Sequence, residues 1–384
     1  MATLTSSSAA RDTPGRVVPG PLAWTPPEPP NKNWWTLIGV PIIFLLVVAF
    51  VVSMIQLPYV ELAPGGAEPI NQLLKVPKQY EHPPRGSFLL TTVSLVADVH
   101  PFDMVRDYFD PNIVIIKRKA IFGDSSKTQY NQQAAQDMDD SKQNAVVLAL
   151  RTLGYTVAEH GDGALVGAIA NGEIPAKGQI AAGDVITAVD TTPAHLAQEA
   201  IGALQRHKPG DTVTLTVTKK DGTVTHPVIR LGSRTETSCT IAVVTAAVPC
   251  IGVTLGTKNH KFDYPFDVKI DTSNIGGPSA GLAFTLALID ELTPGELTGG
   301  HNVAVTGTID IDGTVGDVGG VVQKTAAVRR SGAALFLVPP GEFTEASKHA
   351  GKHLKVVQVK TLADALAALR DNGGEAPVLP PAGK

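Results

Sequence analysis

The sequence predicts a mixed α/β (α+β) protein: an apolar N-terminal helix, then a β-rich module, then an α/β domain. Three observations carry this. Twenty consecutive residues near the N-terminus hold no charge. A central stretch alternates apolar and polar residues at the two-residue period of half-buried strands. The C-terminal third joins glycine-rich turns to apolar runs of helical character.

At 384 residues the chain has room for two or three domains. Hydrophobic residues make up 43% and charged residues 18%, enough to bury ordinary globular cores. The net charge of −4, with Lys and Arg scattered, excludes the concentrated basic patch that nucleic acid requires. The two cysteines, Cys239 and Cys250, form no CxxC pair. His260 stands ten residues after Cys250, so no zinc-ligand spacing results and no metal is expected. No cofactor is called for.

The first element is the charge-free run Thr36–Ile55, TLIGVPIIFLLVVAFVVSMI. At helical rise it spans roughly 30 Å, the thickness of a bilayer core. Trp34 and Trp35 flank one end and Tyr59 the other, as interfacial aromatics do. A cleaved signal peptide would start nearer Met1. The expectation is one retained membrane-spanning helix over residues 35–57, behind a disordered Ser/Pro-rich tail over 1–34. Arg11, Arg16 and Lys32 before the segment, against Glu61 and Glu68 after it, place the tail in the cytoplasm and the bulk of the chain outside the cell membrane. In that compartment Cys239 and Cys250 either pair as a disulfide or remain two buried thiols.

A membrane-proximal α/β region over 58–154 follows. Ser87–Val96 and Asn112–Lys119 read as strands. Gln129–Leu153 carries Met138, Val146, Val147 and Leu150 at helical spacings, and Gly154 is a natural stop. From Tyr155 the order is strand (ALVGAI), turn, short helix, GDVITAVD, a helix around Leu196–Arg206, and a KPGD turn. Two alternating strands end it, TVTLTVTK and TVTHPVIRL, joined at Lys220-Asp221-Gly222. This succession over 155–232 resembles a PDZ domain. Such a fold binds an extended peptide as an added strand and captures its carboxylate on backbone N–H groups. The resemblance puts that capture at Gly163, Ala164, Leu165 and Val166, although the loop lacks a Gly-Leu-Gly-Phe pattern.

The chemistry lies in two segments of the domain over 233–370, which a flexible tail (371–384) follows. Asn274–Asp290 runs from a Gly-Gly-Pro turn into an apolar helix, with Pro278 suited to a first helical position and Ser279 to the first turn. N–H groups at a helix start lack intrahelical partners and can receive an oxyanion. Backbone N–H groups near Gly277–Ser279 are expected to receive that oxyanion, and the small residues Gly276, Gly277, Ala280 and Gly281, with Pro278, to line the substrate groove. Val315–Gly332 leads from a glycine-rich turn into a second helix, where Lys324 stands among Val321, Val322, Ala326 and Ala327. Burial disfavours a lysine's charge, which makes it a base near neutral pH, and a serine nucleophile needs one.

Together GPSAG (277–281), Thr306-Gly307, the Lys324 helix and ALFLVP (334–339) resemble the proteolytic domain of the Lon family, with 45 residues from Ser279 to Lys324. The resemblance implies a Ser279–Lys324 dyad, with Thr306 bonded to the lysine. Many members carry an acidic residue three positions before the serine; this chain has Gly276 there. No G-x-x-x-x-G-K-[ST] motif is present, so no nucleotide-driven motor is expected. Anchor, PDZ-like module and Lon-like domain together are similar to bacterial membrane-bound PDZ–Lon-like serine proteases. The implied function is ATP-independent endoproteolysis of protein or peptide substrates in a homo-oligomer. The alternative is a tethered peptide-binding adaptor with a silent Lon-like domain. His260, His301 and Asp310 offer no triad spacing, and Asp310 with Asp312 reads as turn chemistry. Ser273 and Asn274 line either the groove or a solvated loop.

Overall fold

The computed structural model describes residues 34–170, 174–233, 248–272 and 275–377, with side chains from Ile38 onward. The expected tail before residue 34, the end of the C-terminal tail, Cys239, Ser273 and Asn274 lie outside them. The chain divides into two units, Met1–Ala63 with Ser94–Asp124, and Pro64–Val93 with Ser125–Lys384.

The first unit begins with α1 (Trp34–Ser53), which holds Pro41 and no charged residue. Its large apolar side chains are exposed, Phe44 by 65% and Leu45 by 64%. Among the described residues no helix is long and apolar enough to cross a membrane. The start of β1 (Tyr59–Pro69) pairs antiparallel with the strand Val114–Lys117. The strand expected over 112–119 is therefore shorter, and Arg118–Phe122 forms a helical turn with Arg118 over the Phe122 ring. In α2 (Pro101–Asp107), Arg106 grips the buried Asp107 at 2.6 Å.

The second unit carries the chemistry. Its strand β2 (Ser87–Val96) is the predicted apolar run. Helix α3 (Lys127–Thr152) starts on a capping box, Ser126 accepting from the Gln129 N–H and Gln129 from the Ser126 N–H. It ends before Gly154, whose φ of +83° continues no helix.

The β-rich module follows. Its sheet contains β3 (Ala164–Ile169), β4 (Val185–Val189) and β5 (Thr212–Thr218), with α4 (Ala197–Leu204) packed against it. The last predicted strand breaks into Val224–Thr225 and Val228–Arg230, because Pro227 between them has no N–H for the ladder. The sheet takes a further strand from beyond the expected boundary at 232: β6 (Val253–Thr257) pairs antiparallel with β3, from Val253↔Ile169 to Thr257↔Ala164. Ile251, Val253 and Leu255 pack into this module's core.

Helix α5 (Gly281–Leu292) is buried on every side and packs against α3. Strands β7 (Asn302–Val305) and β8 (Thr308–Ile309) flank Thr306 and Gly307. Helix α6 (Val321–Ser331), strand β9 (Leu335–Val338), helix α7 (Pro340–His349), strand β10 (Lys355–Gln358) and helix α8 (Leu362–Arg370) complete the unit. Strands β10, β9, β7 and β2 lie side by side in that order in its main sheet and are parallel. Parallel strands need both faces covered, and these read as continuous apolar runs, with all four residues of β9 buried. One face packs into the core around α5 and the other into the core beneath α6 and α7.

Candidate active site

Three elements meet at the predicted chemistry: the start of α5, the end of β7 and the first turn of α6. Helix α6 starts on Gly320, whose φ of +69° turns the chain tightly into the helix. Lys324 is its fourth residue, 3% exposed, and donates from Nζ to Thr306 Oγ1 at 3.0 Å. Thr306 is fully buried and donates in turn to the Ser279 carbonyl oxygen at 3.3 Å. The Gly307 N–H reaches that same oxygen at 3.0 Å. Lysine, threonine and serine backbone thus form one connected network. Among the described residues Ser279 Oγ has no hydrogen-bond partner, and the side chain is part-exposed. Burial pushes the Lys324 ammonium down to about 8 from the ordinary 10.5, while the Glu342 carboxylate pulls the other way. Roughly a tenth of such a lysine is neutral one pH unit below its pKa.

The turn before α5 differs from expectation. The helix begins at Gly281 with Ala280 as its N-cap, so Pro278 is not its first residue and Ser279 sits one position ahead of the cap. What holds the turn is α3. Ala134 accepts the Gly277 N–H at 2.7 Å, and Ser141 Oγ donates to the Pro278 carbonyl at 2.9 Å. Gly277 has φ +93°, the left-handed region that favours glycine. Its N–H is therefore committed, and proline has none. The N–H groups of Ser279 and Ala280 make no hydrogen bond among the described residues, and they are the donors available at the serine. Gly276 lies against Ala134 of α3.

The PDZ-type residues need correction. Gly163, Ala164, Leu165 and Val166 lead into and open β3, whose two edges are taken by β4 and β6. Gly163 donates to His195 and accepts from Lys258, and Val166 donates to Asp184. Ala164 and Val166 are buried. No ladder position remains there for an added strand. The sheet order instead ends at β6, beside α4. Leading into β6 is Cys250-Ile251-Gly252, where Gly252 has φ +83°. The sequence reading missed this because β6 lies past the apparent end of the module. Cys250 is disulfide-bonded.

Ser141, Ala134 and Glu342 also escaped the sequence reading. The first two look like ordinary positions of an amphipathic helix. Glu342 looks like an acidic residue in the first turn of α7, where a helix dipole favours one.

One domain thus holds a buried lysine tied through a threonine to the backbone of a serine, and a small β-rich module precedes it. Comparison with known families agrees: residues 152–229 match the PDZ domain family, and residues 232–370 match the Lon protease (S16) C-terminal proteolytic domain. The chain thus combines a PDZ domain with a Lon-type proteolytic domain, has Lon proteases among its homologues, and matches no ATPase family. The Lon protease of Buchnera aphidicola is 31% identical over 117 residues, 30% of this chain and 15% of that protein. Lon protease 2 of Bacillus subtilis is 30% identical over 117 residues, 29% of this chain and 20% of that protein. The matches to these two relatives thus span at most a fifth of their length. Among solved structures, the PDZ domain of an SdrC-like protein from Listeria monocytogenes is 29% identical, covering 24% of this chain and 87% of that one, with a TM-score of 0.21.

Proposed function

We propose that the protein is an ATP-independent serine endopeptidase that uses Ser279 as nucleophile and Lys324 as general base. The observation that carries the reading is the buried Lys324, tied through Thr306 to the backbone of Ser279. A lysine is placed inside an apolar core only against a desolvation penalty, and a base near neutral pH is what that penalty yields. In the proposed reaction Ser279 Oγ turns toward Nζ and gives up its proton as it attacks the scissile carbonyl. The free N–H groups of Ser279 and Ala280 receive the oxyanion. The ammonium of Lys324 returns the proton to the leaving amine. Water, deprotonated by the same lysine, then hydrolyses the acyl-enzyme.

In this reading the PDZ domain selects unfolded segments or accessible tails, and it does so at β6, whose strand ends the sheet beside α4. Because β6 belongs to the stretch that leads into the proteolytic domain, excising 155–232 would strip the strand of its sheet. Helix α1 is read as a membrane anchor, since the charge-free run Thr36–Ile55 has the length of a bilayer core. A catalytic part outside the cytoplasm fits the disulfide at Cys250. Assembly into a homo-oligomer belongs to the same proposal.

The test is cleavage of casein by the full chain in detergent without ATP, beside Ser279→Ala, with a fluorophosphonate probe on both. Labelling and cleavage by the wild type alone are expected. A wild type that is folded but takes no label at any pH would refute the nucleophile and favour a tethered peptide-binding adaptor.

A further inference from the structure

Each N–H group assigned to the oxyanion shares a peptide plane with a carbonyl that is held in place. A trans peptide points its N–H and its carbonyl in opposite directions, and no cis bond occurs among the described residues. The Ser279 N–H is therefore aimed by whatever grips the Pro278 carbonyl, and the Ala280 N–H by whatever grips the Ser279 carbonyl. The Ser279 carbonyl is secured by the Gly307 N–H at 3.0 Å and by Thr306 Oγ1 at 3.3 Å. The Pro278 carbonyl has two donors of unequal strength. The Gly281 N–H reaches it at 3.4 Å, closing a turn in which Ala280, at φ −101° and ψ −4°, has the third-residue geometry of type I. A bond of that length is weak. Ser141 Oγ donates at 2.9 Å and is the firmer hold.

Ser141 is 4% exposed and sits well inside α3. A hydroxyl within a helix ordinarily bonds back to the carbonyl four residues earlier. Thr285 in α5 and Thr325 in α6 do so, at 2.9 and 2.7 Å. Ser141 instead gives its single proton to a carbonyl 137 residues away. The hydroxyl is wedged against the turn, since a Cβ on Gly281 would stand 2.8 Å from its Oγ. Three residues along α3, Asn144 Nδ2 donates to the Ile309 carbonyl at 3.1 Å, on the strand that follows Thr306 and Gly307. One helix thus braces both the serine turn and the strand beside the lysine's acceptor. Ser141 lies outside both stretches matched to a family.

We propose that Ser141 is a positioning residue of the protease: by fixing the Pro278–Ser279 peptide plane it keeps the Ser279 N–H aimed at the forming oxyanion. The inference rests on Ser279 being the nucleophile. Without the hydroxyl the Pro278 carbonyl keeps only the long Gly281 contact. The plane can then rotate, and the donor is no longer aimed in advance of the reaction. The base is untouched, because Lys324 is held by Thr306 and not by this carbonyl.

The experiment follows the reaction of Ser279 with a fluorophosphonate against pH and reagent concentration, on the full chain in detergent. The proteins are wild type, Ser141→Ala and Val147→Ala. Alanine is the better helix former and removes a single oxygen atom, so Ser141→Ala is expected to fold; urea unfolding checks both variants. Val147 is fully buried on the same helix and has no hydrogen-bonding side chain, so its truncation reports a loosened α3 alone. Removing an oxyanion donor outright costs about 100- to 1000-fold in rate, and losing only its aim should cost about 10- to 100-fold. The limiting rate of Ser141→Ala should fall by that much. Its half-saturating reagent concentration and the acid limb of its pH profile should stay at wild-type values, and Val147→Ala should keep the wild-type limiting rate. A Ser141→Ala protein as fast as a reactive wild type would overturn the proposal and leave the protease reading standing. So would a loss that Val147→Ala shares, which is a packing effect, or one accompanied by a moved acid limb, which is a change at the base. A wild type that never reacts would overturn the protease reading and this inference with it.

Discussion

Replacing Lys324 with Met should abolish acylation and, at neutral pH, make the protein more stable. Methionine is unbranched, about as long as lysine, and suits an apolar gap. The magnitude follows from the burial of Lys324, whose pKa is pushed from 10.5 to about 8. That drop corresponds to about 3 kcal/mol by which the folded state disfavours the charged lysine. Below pH 8 folded and unfolded chains both hold the proton, and the full penalty is present. Between pH 8 and 10.5 the unfolded chain binds more protons than the folded one, so wild-type stability rises with pH. Above that window the penalty is gone. Met carries no penalty at any pH but loses the 3.0 Å bond from Nζ to Thr306, worth about 1 kcal/mol. The variant should therefore be about 2 kcal/mol more stable at pH 7. The advantage should vanish, and turn slightly negative, toward pH 10. Urea unfolding of the full chain in detergent, followed by hydrogen exchange in α5 and α6, isolates the proteolytic half from the PDZ domain. A variant less stable than wild type at pH 7, or a difference that ignores pH, would refute the reasoning.

Other perturbations test the supports of the site. Thr306→Val removes the lysine's acceptor and the donor to the Ser279 carbonyl; the acylation rate should fall about 10- to 100-fold, or ~1–3 kcal/mol, with little change in melting temperature. Gly281→Ala would bring a Cβ to 2.8 Å from both Ser141 Oγ and Ile309 Cγ2, so it should disturb the turn that carries Ser279. The expected overpacking is about 1–3 kcal/mol, read as a lowered urea midpoint together with lost labelling. Asp290, buried in α5 with Oδ2 lacking a donor, has its pKa raised to about 7 by burial. Its folded state holds a proton that the unfolded chain releases, so wild-type stability falls as pH rises from about 4 to about 7. Asp290→Asn should match wild type near pH 4 and exceed it by roughly 2 kcal/mol or more at pH 8, measured by the same urea curves.

Local pattern carried much of this protein into view. Ser87–Val96 and ALVGAI form strands where alternation and apolar content put them. The helix expected over 129–153 runs over Lys127–Thr152 because a capping box and a glycine bracket it. Residue types that are unusual in their setting, a serine after Gly-Gly-Pro and a lysine within an apolar helix, marked Ser279 and Lys324. Each of these is a property of a few neighbouring residues. What only the tertiary structure decided depends on partners far apart in the chain. Strand β6 enters the PDZ sheet beside β3 from more than eighty residues further along the chain, so both edges of the strand expected to capture a carboxylate are occupied. The Gly277 N–H looks free in sequence, yet Ala134 of α3 accepts it from more than a hundred residues away. Glu342 is an unremarked first-turn glutamate until folding buries it over the turn that leads to Lys324. Backbone hydrogen bonds and buried charges are settled by whatever the fold brings within a few Å, and sequence spacing does not encode that distance.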